Sequence, residues 1–194
     1  SAVHYAAMGS RVAALRRLKK LNFPMDMHSN NGSTALHMVA ADSKGNGDII
    51  AVLCELGCST ESRDHSDQTP LHVAVGNNNV PAVAKLCAAK CDVNVCRQDG
   101  LAPSHLAIFK NHEGALIQLL NARCCLNTQL FGDQGTLLHV AVSIALSDIV
   151  HLLLESGATV NAITTSAGQT PLHVAAERGQ TEIGRCLLAA KASV

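Results

Sequence analysis

Thr69-Pro70-Leu71-His72-Val73-Ala74-Val75 recurs almost unchanged as Thr170-Pro171-Leu172-His173-Val174-Ala175-Ala176. Variants surround four more histidines. They read Val3-His4-Tyr5-Ala6-Ala7, Thr34-Ala35-Leu36-His37-Met38-Val39-Ala40, Ala102-Pro103-Ser104-His105-Leu106-Ala107-Ile108 and Thr136-Leu137-Leu138-His139-Val140-Ala141-Val142. The six histidines are separated by 33, 35, 33, 34 and 34 residues. A fixed period of this length marks stacked supersecondary units, each too thin to bury its own apolar face.

Each unit has a physical reading. Thr34, Thr69, Thr136 and Thr170 precede apolar helical runs as N-caps, with hydroxyls expected to accept from unpaired helix N–H groups. Pro70, Pro103 and Pro171 follow, at the first helical position, where a missing N–H costs nothing. A polar turn such as Glu177-Arg178-Gly179-Gln180 leads to a second helix, opened near Asp48, Asp148 or Glu182 at the positive end of its dipole. That helix carries an apolar stripe, for example Ile149, Val150, Leu152, Leu153 and Leu154, and ends at a left-handed cap such as Gly57 or Gly157. Asn22 suits the same place, whereas Lys90, Arg123 and Lys191 are strained there. Turns such as Asn30-Asn31-Gly32-Ser33 connect to the next threonine.

Six such copies in register resemble the ankyrin-repeat family, over essentially all 194 residues. The resemblance implies an all-α solenoid of six stacked helix-turn-helix units, with β-hairpin loops projecting at about a right angle. The units span approximately 1–27, 31–60, 66–95, 99–128, 133–162 and 167–194, one domain over 1–194 and a piece of a longer protein. Two units are longer than the rest, around residues 44–47 and 131–133. The fourth has Ala102 where a capping hydroxyl belongs, so its helix start is expected to be among the least stable.

Composition narrows the function. Fifteen basic and fifteen acidic residues give zero net charge, which argues against general nucleic-acid binding. Residues 1–25 nevertheless carry Arg11, Arg16, Arg17, Lys19 and Lys20 with no acid, while residues 26–84 total −5. The basic cluster reads as an outer helix face against acidic neighbours, or as a patch recruiting anions. No membrane span is expected, because the most apolar stretch, 137–154, is broken by His139, Asp148 and His151.

Eight cysteines are too few for a disulfide scaffold, which needs about 8–10%. Cys54/Cys58 and Cys87/Cys91 form C-x3-C pairs 33 residues apart, and Cys124 follows 33 further on. That period places them on successive layers about 10 Å apart, so packed thiols are expected and zinc is not. Cys96, Cys124 and Cys125 are expected to be more accessible. The same layering keeps the six histidines from sharing a metal, and the resemblance implies that each imidazole instead bridges its own threonine and a neighbouring loop. No catalytic motif or cofactor signature is present, so this segment is expected to be neither an enzyme nor cofactor-dependent.

The resemblance implies a scaffold that binds a partner protein on its concave face, inside the cell, in cytoplasm or nucleus. The alternative is a regulatory or targeting module of a larger enzyme or membrane channel. The family's variable positions fall here on Arg63, His65, Gln68, Leu101, Phe109, Lys110, Leu130, Ile144, Glu177 and Arg178, with Phe131 alongside. Phe109 either packs inside its repeat or, exposed, is a hot spot. The family's asparagine-hydroxylation spacing, a leucine eight residues earlier, is met by Asn94, Asn127 and Asn161. Each of these is read first as a loop hydrogen-bonding residue.

Overall fold

Local chemistry at the motif starts every first helix. The structure, a computed structural model, describes residues 1–42, 47–128, 135–165 and 167–193. In chain order its helices are α1 (Ala2–Met8), α2 (Val12–Lys20), α3 (Ala35–Ala41), α4 (Gly47–Glu55), α5 (Pro70–Gly76) and α6 (Val80–Ala88), then α7 (Pro103–Phe109), α8 (Glu113–Asn121), α9 (Leu137–Ser143), α10 (Ser147–Glu155), α11 (Pro171–Glu177) and α12 (Thr181–Ala189). The two long turns, near 44–47 and 131–133, lie largely outside the described residues, although Gly47 begins α4.

The cap is reciprocal, because the histidine at the third helical position reaches back to the cap residue. At Thr34, Thr69 and Thr136 the hydroxyl reaches the imidazole Nδ1 of the histidine three residues on, at 2.9, 2.9 and 3.0 Å. Thr170 also receives the His173 helix N–H, at 3.4 Å. The cap residue's own N–H donates to the same Nδ1, at 3.1 Å in Thr34 and 3.3 Å in Thr69. Because that N–H can only donate, Nδ1 is the acceptor and the ring proton sits on Nε2. Nε2 donates one unit onward: His37 to the Gln68 carbonyl (2.9 Å), His72 to Leu101 (3.1 Å) and His139 to Gln169 (3.0 Å). Ala102 has no hydroxyl, yet its N–H keeps the bond to His105 at 3.3 Å.

First helices pack in series, α1 through α3, α5, α7 and α9 to α11, and second helices form a parallel layer behind them. Between the layers runs one apolar core. Leu53, Leu86, Leu119, Leu153 and Leu187 repeat at one register of the second helices and all are sealed from solvent. Ala and Leu fill the space that large rings would occupy elsewhere, so helices sit close.

The loops are hairpins closed by backbone bonds, and no strand forms among the described residues. Ser29 N–H meets the Ser33 carbonyl at 2.9 Å, Asp64 meets Gln68 at 3.0 Å, Arg97 meets Leu101 at 3.1 Å and Thr164 meets Gln169 at 2.9 Å. Hairpins touch their neighbours through His65 N–H and the Asn31 carbonyl, 3.1 Å apart. Gly32 (φ +78°) permits this approach, since a Cβ there would lie 2.6 Å from the His65 ring.

Candidate partner-binding surface

Hairpin tips and first helices together form one side of the array, and the expected contact residues divide sharply by what already holds them. Arg63 bonds Asp67 at 2.6 Å and the Cys96 carbonyl at 3.1 Å, tying two hairpins. The Gln68 carbonyl accepts from His37, and its N–H is held by Asp64 at 2.9 Å. Lys110 donates to the Gly76 carbonyl at 2.9 Å and Arg178 to Ser143 at 2.8 Å, so each caps the C-terminus of the preceding first helix. Glu177 accepts from Gln169 at 3.3 Å. His65 has an exposed side chain.

Apolar candidates behave differently. Phe109 ends α7 and is 42% exposed, while Ile144 caps neighbouring α9 and is 40% exposed. Half-buried Leu101 packs against the core and lends its carbonyl to His72. Leu130 and Phe131 lie outside the described residues. Open grooves also lie elsewhere along the array. One of about 590 Å³ lies beside Tyr5, Met8, His28 and Met38, another of about 470 Å³ beside Ser143, Gln169, Glu177 and Arg178.

Sequence reasoning missed Tyr5 and Met8, both exposed at the first unit. It read Asn94, Asn127 and Asn161 as loop hydrogen-bonding residues but missed that they belong to a second ladder on the loops, shared with Asp26 and Glu61. Side-chain oxygens of Asp26, Glu61, Asn94, Asn127 and Asn161 accept the backbone N–H of Ser59 (3.0 Å), Asp92 (3.0 Å), Cys125 (2.7 Å), Thr159 (3.2 Å) and Ser193 (2.8 Å). Their spacing near one period was the available signal, and the three asparagines are members of that ladder.

Burial sets the electrostatics. It depresses His37 and holds His72 and His105 at about 4, against the pull of a backbone acceptor in each case. His37 and His72 are neutral bridges, whereas buried His105 finds no hydrogen-bond partner for its Nε2 among the described residues. Burial likewise pushes the Cys58 thiol to about 12 and Cys124 to about 11. Cys124 is buried, contrary to expectation; Cys125 is exposed and Cys96 half-buried. Among the described residues no three His, Cys, Asp or Glu side chains are grouped to hold a metal. None of Arg11, Arg16, Arg17, Lys19 or Lys20 has a carboxylate within ion-pair distance among the described residues, so the expected acidic neighbours do not meet them. No helix among the described residues is long and apolar enough to cross a membrane.

Helix pairs stacked in register, bolted by buried histidines and edged with hairpins, define a repeat protein of the interaction-module class. Sequence models of ankyrin repeats match it, "Ankyrin repeats (3 copies)" over residues 38–130 and 105–194 and "Ankyrin repeats (many copies)" over 3–54. The chain belongs to the ankyrin-repeat family, whose repeats are typically protein-interaction modules and generally not enzymes. Among curated relatives, the mouse (Mus musculus) B-cell lymphoma 3 protein homolog is 27% identical over 99% of this chain. Mouse ankyrin repeat domain-containing protein 53 is 32% identical over 40% of it. The matches span 37% and 16% of those two proteins. The crystal structure of the ankyrin repeat domain of Bcl-3, described as a unique member of the IkappaB protein family, superimposes with a TM-score of 0.91. It is 25% identical, and the match covers 100% of this chain and 87% of that one.

Proposed function

We propose that this chain binds an extended segment of a partner protein along the hairpin and first-helix side, anchored on Phe109 and Ile144 with Leu101 beneath. The observation that carries the reading is the pair of exposed apolar side chains at the same end of packed helices α7 and α9. Aromatics are scarce, one Tyr and three Phe, so a half-exposed Phe109 is costly to keep uncovered unless a partner takes it. Arg63, His65, Gln68, Glu177 and Arg178 edge the platform, and Lys110 and Arg178 also hold its shape. The six units act as one domain of a longer protein, inside the cell, where eight free thiols are at home.

A second reading is a regulatory or targeting module of a larger enzyme or membrane channel. The small share of the curated relatives that the chain spans favours it. Affinity capture from cell extract with the chain, followed by mass spectrometry, identifies the partner. Its affinity is then measured against Phe109→Ala, Ile144→Asp and Leu101→Asp, with folding checked by circular dichroism. Folded variants that bind as tightly as the parent overturn the site. Peptides heavier by one oxygen at Asn94, Asn127 or Asn161 would make these asparagines modification sites as well.

A further inference from the structure

Helices α10 and α12 lie side by side in the last two units, and each sends one side chain to the other. The Cys186 sulfur stands 3.4 Å from Nδ1 of His151. They are 35 residues apart, one more than the 34 that separate His139 from His173. Stacking accounts for that offset. Cys186 falls in the register of Lys85, which likewise reaches back to the previous second helix, to Asp48 at 3.5 Å. Other units hold different residues at both places. Val52, Lys85, Gln118 and Leu152 share the register of Cys186, and Ala51, Ala84 and Ile117 that of His151.

Its surroundings set this thiol apart. Cys58, Cys91 and Cys124 are buried, and Cys54 and Cys87 pack against the core. Cys96 meets the Asn94 carbonyl at 3.5 Å, and Cys125 is exposed. Cys186 is half-buried, with its sulfur against the exposed imidazole of His151. Burial, and then the Glu182 carboxylate one turn back, push the Cys186 thiol up, so the resting group keeps its proton. A neutral imidazole protonated at Nε2 accepts that proton at Nδ1. A nucleophile beside a base needs no standing thiolate, because the ring takes the proton as the sulfur attacks. The charged groups around the pair are Glu182 and Arg185 of α12, themselves 3.5 Å apart, and Asp148 and Glu155 of α10, within a turn of His151 on either side.

We propose that Cys186 is a reversible modification site for small-molecule disulfides, with His151 as its general base. The Cys186 sulfur attacks one sulfur of the disulfide. A new S–S bond to the protein forms, the disulfide's own S–S bond breaks, and the thiol proton passes by way of Nδ1 to the departing thiolate. The disulfide is reduced as the thiol is oxidised, and an added thiol reverses the step. This site is separate from the surface carrying Phe109 and Ile144.

The probe is dithiodipyridine, an uncharged disulfide whose released thiopyridone is followed by absorbance, with peptide masses assigning each modified cysteine. Cys186 is expected to react about tenfold faster than exposed Cys125 at about pH 7, and dithiothreitol to restore the parent mass. Its rate should rise with pH through the imidazole range, about 6.5, and then level off. In His151→Gln the Cys186 rate should fall about tenfold and its rise should move to the thiol range, about 8.5 or higher, with Cys125 unchanged. Cys186→Ser should remove the fast phase alone. His151 is exposed, and circular dichroism checks that its variant keeps the fold. The proposal is overturned if Cys186 in the parent chain reacts no faster than Cys125. It is equally overturned if folded His151→Gln leaves the Cys186 rate and pH profile as they were.

Discussion

His72 shows what one side chain does in this array. Its Nδ1 receives the Thr69 N–H and hydroxyl, and its Nε2 donates to Leu101 one unit on. The Nδ1 role needs a neutral ring, since a protonated imidazole cannot accept there. Burial pulls the folded pKa of His72 and His105 to about 4, below the value of 6.5 expected when unfolded. Above pH 6.5 both states are neutral and the bridges count in full. Between 6.5 and about 4 the unfolded chain takes up protons that the folded chain refuses, so stability falls with pH. Each of the two histidines contributes up to about 1.4 kcal/mol per pH unit in that window. Urea midpoints measured from pH 7.5 to 5 should therefore fall, and less steeply in His72→Gln; a flat profile contradicts the buried neutral bridge. At the fourth unit Ala102 lacks the hydroxyl. Ala102→Thr should raise stability by about 1 kcal/mol in the same assay.

Each helix was legible to the extent that its signals are local. Thr69, Pro70 and the spacing of apolar residues in α10 announce helices because capping and periodicity need nothing beyond a few neighbours. The left-handed caps were equally readable: Gly57 and Gly157 stand at φ +83° and +88°, and Lys90, Arg123 and Lys191 were placed there despite their side chains, at +61°, +60° and +66°. Lys90→Gly and Arg123→Gly should each stabilise by about 1 kcal/mol, read as a shift in denaturation midpoint. What could not be read depends on the neighbouring layer. Lys110 and Arg178 looked like free contact residues because the carbonyls they cap, Gly76 and Ser143, lie 34 and 35 residues back. The histidine bridge from each threonine to the next loop was, by contrast, implied by the motif itself, because it repeats with it. Half-exposure of Phe109 was undecidable from sequence, because the same residue at the end of α7 could turn inward or outward.

For the whole molecule, stability in a stacked array is the sum of units and their junctions. The junction between the fourth and fifth pairs is among the weak ones: α7 and α9 pack well, but α8 and α10 touch little, as do α2 and α4 and α10 and α12, compared with α4, α6 and α8. Hydrogen exchange under mild denaturant should release α9 to α12 as a block before α1 to α8; uniform release would show that this junction is as strong as the rest. A rack of this kind presents a long platform, and the central claim is that a partner lies on it across Phe109 and Ile144. Hydrogen exchange of the captured complex tests this most directly. Protection confined to residues 101–110, 137–144 and the flanking hairpins is the expected result. Protection that falls instead on the outer faces of α6 and α8, leaving Phe109 and Ile144 unchanged, would contradict it.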